Sequence, residues 1–102
     1  MSMLHTVNKS PFHTRTLESC LARACDGSAL LLIEDGVYSA MRGTPIEGNM
    51  VTALKNIAVY VLGPDLEARG MSSSKLVEGI KVVDYAGFVD LAVQHDSIQS
   101  WL

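Results

Sequence analysis

Charge is scarce in this chain of 102 residues: charged side chains make up 19% of it, against about 25% in an average soluble domain. Eight Lys and Arg stand against 11 Asp and Glu, a formal net charge of -3. There is no basic stripe of the kind with which nucleic-acid binders collect phosphates, so direct contact with RNA or DNA is not expected. Long apolar runs are missing too. No stretch reaches the ~18 to 20 consecutive apolar residues of a membrane span. The opening Met1-Ser2-Met3-Leu4-His5 has no basic region ahead of an apolar one, and a cytoplasmic location is the expectation. Only two cysteines occur, Cys20 and Cys25. On a helix turning about 100° per residue they point apart and cannot bridge, so reduced thiols are expected.

Several chemical signatures are absent. No G-x-G-x-x-G follows an apolar run and no G-x-x-x-x-G-K-[ST] appears, so the backbone cradle for nucleotide phosphates is lacking and no cofactor is expected. His5, His13 and His95 are scattered without C-x-x-C or H-E-x-x-H spacing, which disfavours a metal site. A hydrolase serine needs a sharp, glycine-flanked turn, and Asn8-Lys9-Ser10-Pro11 does not supply one. Ser10 reads instead as a turn or cap residue.

What is present is an alternation of apolar runs and helical stripes. Met3 to Val7 reads as a strand. Leu17, Cys20, Leu21 and Ala24 recur at helical spacing within a helix from about Thr14 to Cys25. Ala29 to Ile33 is a continuous apolar run, as in a strand buried on both faces. A short helix is expected through Met41, a second helical piece around Met50 to Leu54, and a strand over Ile57 to Leu62. Pro64 can open a short helix ending near Gly70. Met71 to Lys75 reads as a serine-rich loop, Ile80 to Val83 as a strand, and Tyr85 to about Gln94 as a helix capped by Asp84. The tail ends Ile98-Gln99-Ser100-Trp101-Leu102, with Trp101 expected to be buried. The pattern predicts one domain over residues 1–102. Its fold is α/β, with three layers: a small, mostly parallel sheet of four or five strands and helices on both faces. With 48% hydrophobic residues and few charges, part of the surface is expected to meet partner subunits.

In such sheets ligands sit beyond the carboxyl ends of the strands. There the sequence offers Asn8, Lys9 and Ser10; Glu34 and Asp35; Asp65; and Asp84 with Tyr85. A cation or response-regulator pocket competes with a plainer reading, in which Asp35, Asp65 and Asp84 satisfy free N–H groups where helices begin. The first strand is followed by Asn8-Lys9 and not by paired acids, which favours the plainer reading. The thiols remain. Persulfide transfer needs only a nucleophilic thiolate and access for a second sulfur. Cys20 is the candidate carrier, although a cysteine on an apolar stripe also reads as an inert core residue. Cys25, at a helix end whose partial charge disfavours an anion, ranks below it.

Met3-Leu4-His5-Thr6-Val7-Asn8-Lys9-Ser10-Pro11-Phe12 resembles the opening signature of the DsrH/TusB family of sulfur-relay proteins. The resemblance continues through residues 31–38, 60–70 and 83–89 and the terminal Trp101-Leu102. It implies a subunit of a two-fold heterohexamer with two homologous partners, DsrE/TusD-like and DsrF/TusC-like. That assembly accepts sulfane sulfur as cysteine persulfide and passes it to a DsrC/TusE-like carrier, so the chain is a relay subunit and not a free-standing enzyme. Cys20 matches the first-helix cysteine of DsrH-type chains. With Asn8 to Phe12 it points toward cytoplasmic sulfur oxidation. The alternative is a non-catalytic interaction subunit of a TusBCD-like complex in tRNA wobble-uridine 2-thiolation.

Overall fold

Five parallel strands in the order β4-β3-β2-β1-β5 form the sheet of the computed structural model, which describes residues 2–102. They are β1 (Met3–Val7), β2 (Ala29–Leu32), β3 (Ala58–Leu62), β4 (Lys81–Val83) and β5 (Ser97–Trp101). The central strands are apolar on both sides because both sides are covered. Val7, Leu30, Leu32, Val59 and Val61 face one layer, and Leu4, Ala29 and Leu31 the other.

The first layer holds α1 (Thr16–Arg23), α2 (Glu47–Ala53) and α3 (Gly63–Ala68), with a 3-10 helix at Glu34–Ala40. These elements contribute Leu17, Cys20, Met50, Leu66, Val37 and Ala40 to the larger core. The second layer is α4 (Tyr85–Gln94) alone, anchored by Leu91 with Phe88 and Ala92 packed beside it. The result is the expected three-layer α/β domain.

Two segments are more ordered than their local pattern requires. The polar tail forms β5, paired in parallel with β1 along its whole length. The serine-rich segment also contains a short 3-10 turn at Ser73–Lys75, in which the Ser72 hydroxyl accepts from the Ser74 N–H. Its end is tied down by a bridge between Met41 and Leu76.

Candidate functional site

The carboxyl edge of the sheet is held by polar contacts that mostly satisfy one another. After β1, Ser10 accepts the Phe12 N–H on Oγ at 3.2 Å, while its carbonyl accepts the N–H groups of His13 and Thr14. It is a turn residue, as its surroundings in the sequence imply. After β2 the chain doubles back so closely that a Cβ on Gly36 would collide with the Val7 carbonyl. The preceding Glu34 is left with a positive φ of 48°, a costly conformation for a side-chain-bearing residue.

Asp65 supports that bend from across the sheet, accepting the Glu34 N–H on Oδ2 at 2.7 Å. It does not cap its own helix. Asp35 caps nothing either: its Oδ1 receives both Nε and Nη2 of Arg69, at 3.0 and 2.9 Å. Only Asp84 performs the expected capping role, accepting the Gly87 N–H at 2.8 Å. The acids are thus spread over separate local tasks. Among the described residues, no group of three or more His, Cys, Asp or Glu side chains could hold a metal ion. Two polar atoms are orphaned among the described residues: Asn8 Oδ1 after β1 and Ser39 Oγ in the 3-10 helix after β2 are buried without a hydrogen-bond partner.

The two thiols differ sharply. Cys20 is completely buried beneath α1, and loss of water around it pushes its thiol up to about 12. At neutral pH it is a small hydrophobe, and no second sulfur can reach it while α1 lies on the sheet. Cys25 stands beyond the last turn of α1 and is exposed, its Sγ 3.9 Å from the Arg23 carbonyl oxygen.

The sequence pattern gives no sign of a third feature, which brings together side chains 96 positions apart. Trp101 Nε1 donates to His5 Nδ1 at 3.0 Å, and the Arg23 guanidinium lies over the indole at 6.0 Å from its centroid. Trp101 is half-buried and packs against the larger core. His5 is buried, and that burial lowers its pKa from 6.5. His13 lies in a turn, and His95 Nδ1 bonds the Leu91 carbonyl at 2.7 Å. The three histidines therefore share no site.

The family model described as DsrH like protein matches residues 9–98. Protein TusB of Pectobacterium parmentieri is 37% identical over 99 residues, which cover 97% of this chain and 100% of that protein. Protein TusB of Enterobacter sp. (strain 638) is 41% identical over 101 residues with the same coverage. Among solved structures, the ychN protein from E. coli aligns over 98% of both chains with a TM-score of 0.83 at 18% identity. Protein Tm0979 from Thermotoga maritima aligns over 92% of this chain and 93% of its own, with a TM-score of 0.63 at 24% identity. At those identities the two structures speak for the fold alone. The sequence matches run almost from end to end of the chain, which belongs to the DsrH/TusB family.

Proposed function

We propose that this chain is a TusB-type subunit of a hetero-oligomeric sulfur-relay complex serving tRNA wobble-uridine 2-thiolation, contributing assembly and docking surface and not free-standing catalysis. The observation that carries this reading is the end-to-end match to TusB proteins at 37% and 41% identity. The surface supports it. Tyr85, Val89 and Val93 recur every fourth residue along α4 and are exposed, with Val82 of β4 and Ile98 of β5 exposed as well. An apolar helix stripe of this kind on a charge-poor chain suits a partner subunit. The edge strands β4 and β5 each have one flank without a strand neighbour among the described residues.

In this reading the partners are TusC/DsrF-like and TusD/DsrE-like chains in a two-fold heterohexamer, and a TusE/DsrC-like protein takes the sulfur onward. The sulfur-oxidation branch draws on Cys20 and the Asn8 to Phe12 wording. It has less behind it, because the relatives carry the TusB name and Cys20 is sealed in the core. A carrier role for Cys20 itself requires α1 to lift from the sheet first.

The test is co-expression with both homologous partners, native mass spectrometry, and measurement of 2-thiouridine in tRNA from cells lacking the chain. A mixed oligomer and a loss of thiolation that the chain restores are expected. A monomer indifferent to both partners, or unchanged thiolation without the chain, overturns the proposal.

A further inference from the structure

β5 stands open on three sides. One flank pairs with β1, and the other has no strand neighbour among the described residues. The register with β1 sets Ile98 and Ser100 beside Leu4 and Thr6, on the α4 side, and Ser97, Gln99 and Trp101 on the α1 side. Residues 97–100 are all exposed, and Ile98 keeps 51% of its surface open to water. Parallel strands are ordinarily covered on both faces, so something is missing around β5.

The two edges of the sheet differ in how they are guarded. Soluble proteins protect an edge strand by shortening it or by giving it charge or proline. β4 is three residues long, starts with Lys81 and runs at once into the Asp84 cap. β5 is five residues long and holds neither a charge nor a proline. It reaches about 17 Å, enough for a full ladder with one more strand.

That strand is suited to a second copy of itself. Two identical edges related by a two-fold axis across the sheet run antiparallel. Centred on Gln99, the pairing sets Gln99 against Gln99, Ile98 against Ser100 and Ser97 against Trp101, so all five residues pair and no like charges oppose within the strand. On the α4 side the two Ile98 side chains are diagonal neighbours, within reach of each other. Asp96, just ahead of the strand, turns its carboxylate to the Ser2 N–H of its own chain. The exposed stripe of α4 suits self-contact less well, because that helix has Asp90 and no Lys or Arg.

We propose that β5 is the two-fold contact between two copies of this chain, pairing antiparallel about Gln99 and joining two five-stranded sheets into one. This rests on the subunit reading given above. A five-residue ladder is small beside the roughly 800 Å² that each partner buries in a stable interface. The contact therefore forms inside the assembled complex, where the partner subunits hold the two copies close together.

The experiment co-expresses Gln99→Cys, in a Cys25→Ala background, with both homologous partners and oxidises the complex mildly. Residues directly opposite in an antiparallel pair have Cα atoms about 4.5–5.5 Å apart, within disulfide range. A disulfide-linked dimer of this chain joined through position 99 is expected, whereas Lys81→Cys in the same background should give none. Gln99→Lys sets two like charges against each other on the axis, and native mass spectrometry should show the complex falling to half its mass. An assembled complex in which the Gln99→Cys thiols stay reduced, equal cross-linking through Lys81→Cys, or full mass kept by Gln99→Lys overturns the inference. A complex that thiolates tRNA with a single copy of the chain also overturns it and leaves the subunit reading standing. If the chain never joins the partners yet cross-links through Gln99→Cys alone, the subunit reading falls and the β5 contact stands.

Discussion

Replacing Cys20 by serine exchanges a buried sulfur for a hydroxyl in an apolar setting. Leu17, Leu30, Leu32 and Met50 of the same core cluster are each no more than 1% exposed. A hydroxyl buried there without a partner costs about 1–3 kcal/mol. One partner is available, the carbonyl four residues back at Thr16, and helical serines use such carbonyls at some cost in helix geometry. The net loss should therefore lie in the lower half of that range, about 1–2 kcal/mol. In a chain of this length each kcal/mol moves the melting temperature by about 4–8 °C, so a drop of roughly 4–16 °C is expected for Cys20→Ser. Cys20→Ala removes the sulfur without adding a polar group and should cost about 1 kcal/mol. Circular dichroism melts measure both. The companion assay is alkylation of the native protein at pH 7, where a thiol near 12 leaves only about one group in 10⁵ ionised. Cys25 should label completely while Cys20 stays free until the chain unfolds. A Cys20→Ser melt within about 2 °C of the native one, or Cys20 labelling as fast as Cys25, refutes the buried, inert assignment.

Removing Trp101 and Leu102 takes away the indole that bonds His5 and packs on the core; a lower melting temperature is expected, and an unchanged melt with unchanged assembly contradicts it. Acid should destabilise the fold through His5. Its folded pKa lies below 6.5, so its contribution is complete above pH 6.5 and fades as the pH falls from there through the folded value. Melts between pH 8 and 5 should show a slope that His5→Gln reduces, and an identical slope in the variant refutes the assignment. Gly36→Ala forces a methyl group into the Val7 carbonyl and should cost about 1–3 kcal/mol as overpacking does, read as a shift in the urea midpoint; no shift means that the bend after β2 yields freely.

Most of the architecture is legible from local pattern, because the inner strands are buried on both faces and appear as unbroken apolar runs. The helix from Tyr85 to Gln94 and its Asp84 cap fall where the sequence puts them. β5 escapes that logic. An edge strand open to solvent has no need of an apolar run, and Ser97-Ile98-Gln99-Ser100 is a strand by virtue of its partner β1. The roles of Asp35 and Asp65 escape it for a related reason. A helix-start position is local information, whereas their partners Arg69 and Glu34 lie 34 and 31 residues away. Cys20 shows both sides: the stripe of Leu17, Cys20 and Leu21 marks a buried sulfur, and a match to family wording cannot tell a buried thiol from an available one. The His5–Trp101 pair has no sequence signal beyond the presence of an indole that needs a partner.

The strand order has a temporal meaning as well. β1 precedes the other four strands in the chain, yet it ends up between β2 and β5, the last of them. Until residues 97–101 have been made, one flank of β1 has no backbone partner, and the chain carries an open hydrogen-bonding edge while the other four strands can already associate. Pairing the first strand with the fifth closes a loop over nearly the whole sequence, a separation that slows folding. The polar composition of β5 keeps this late-arriving piece soluble while it waits. The unpaired flank of β1, with His5 at its middle, is where a nascent chain is most open to mispairing with a second copy.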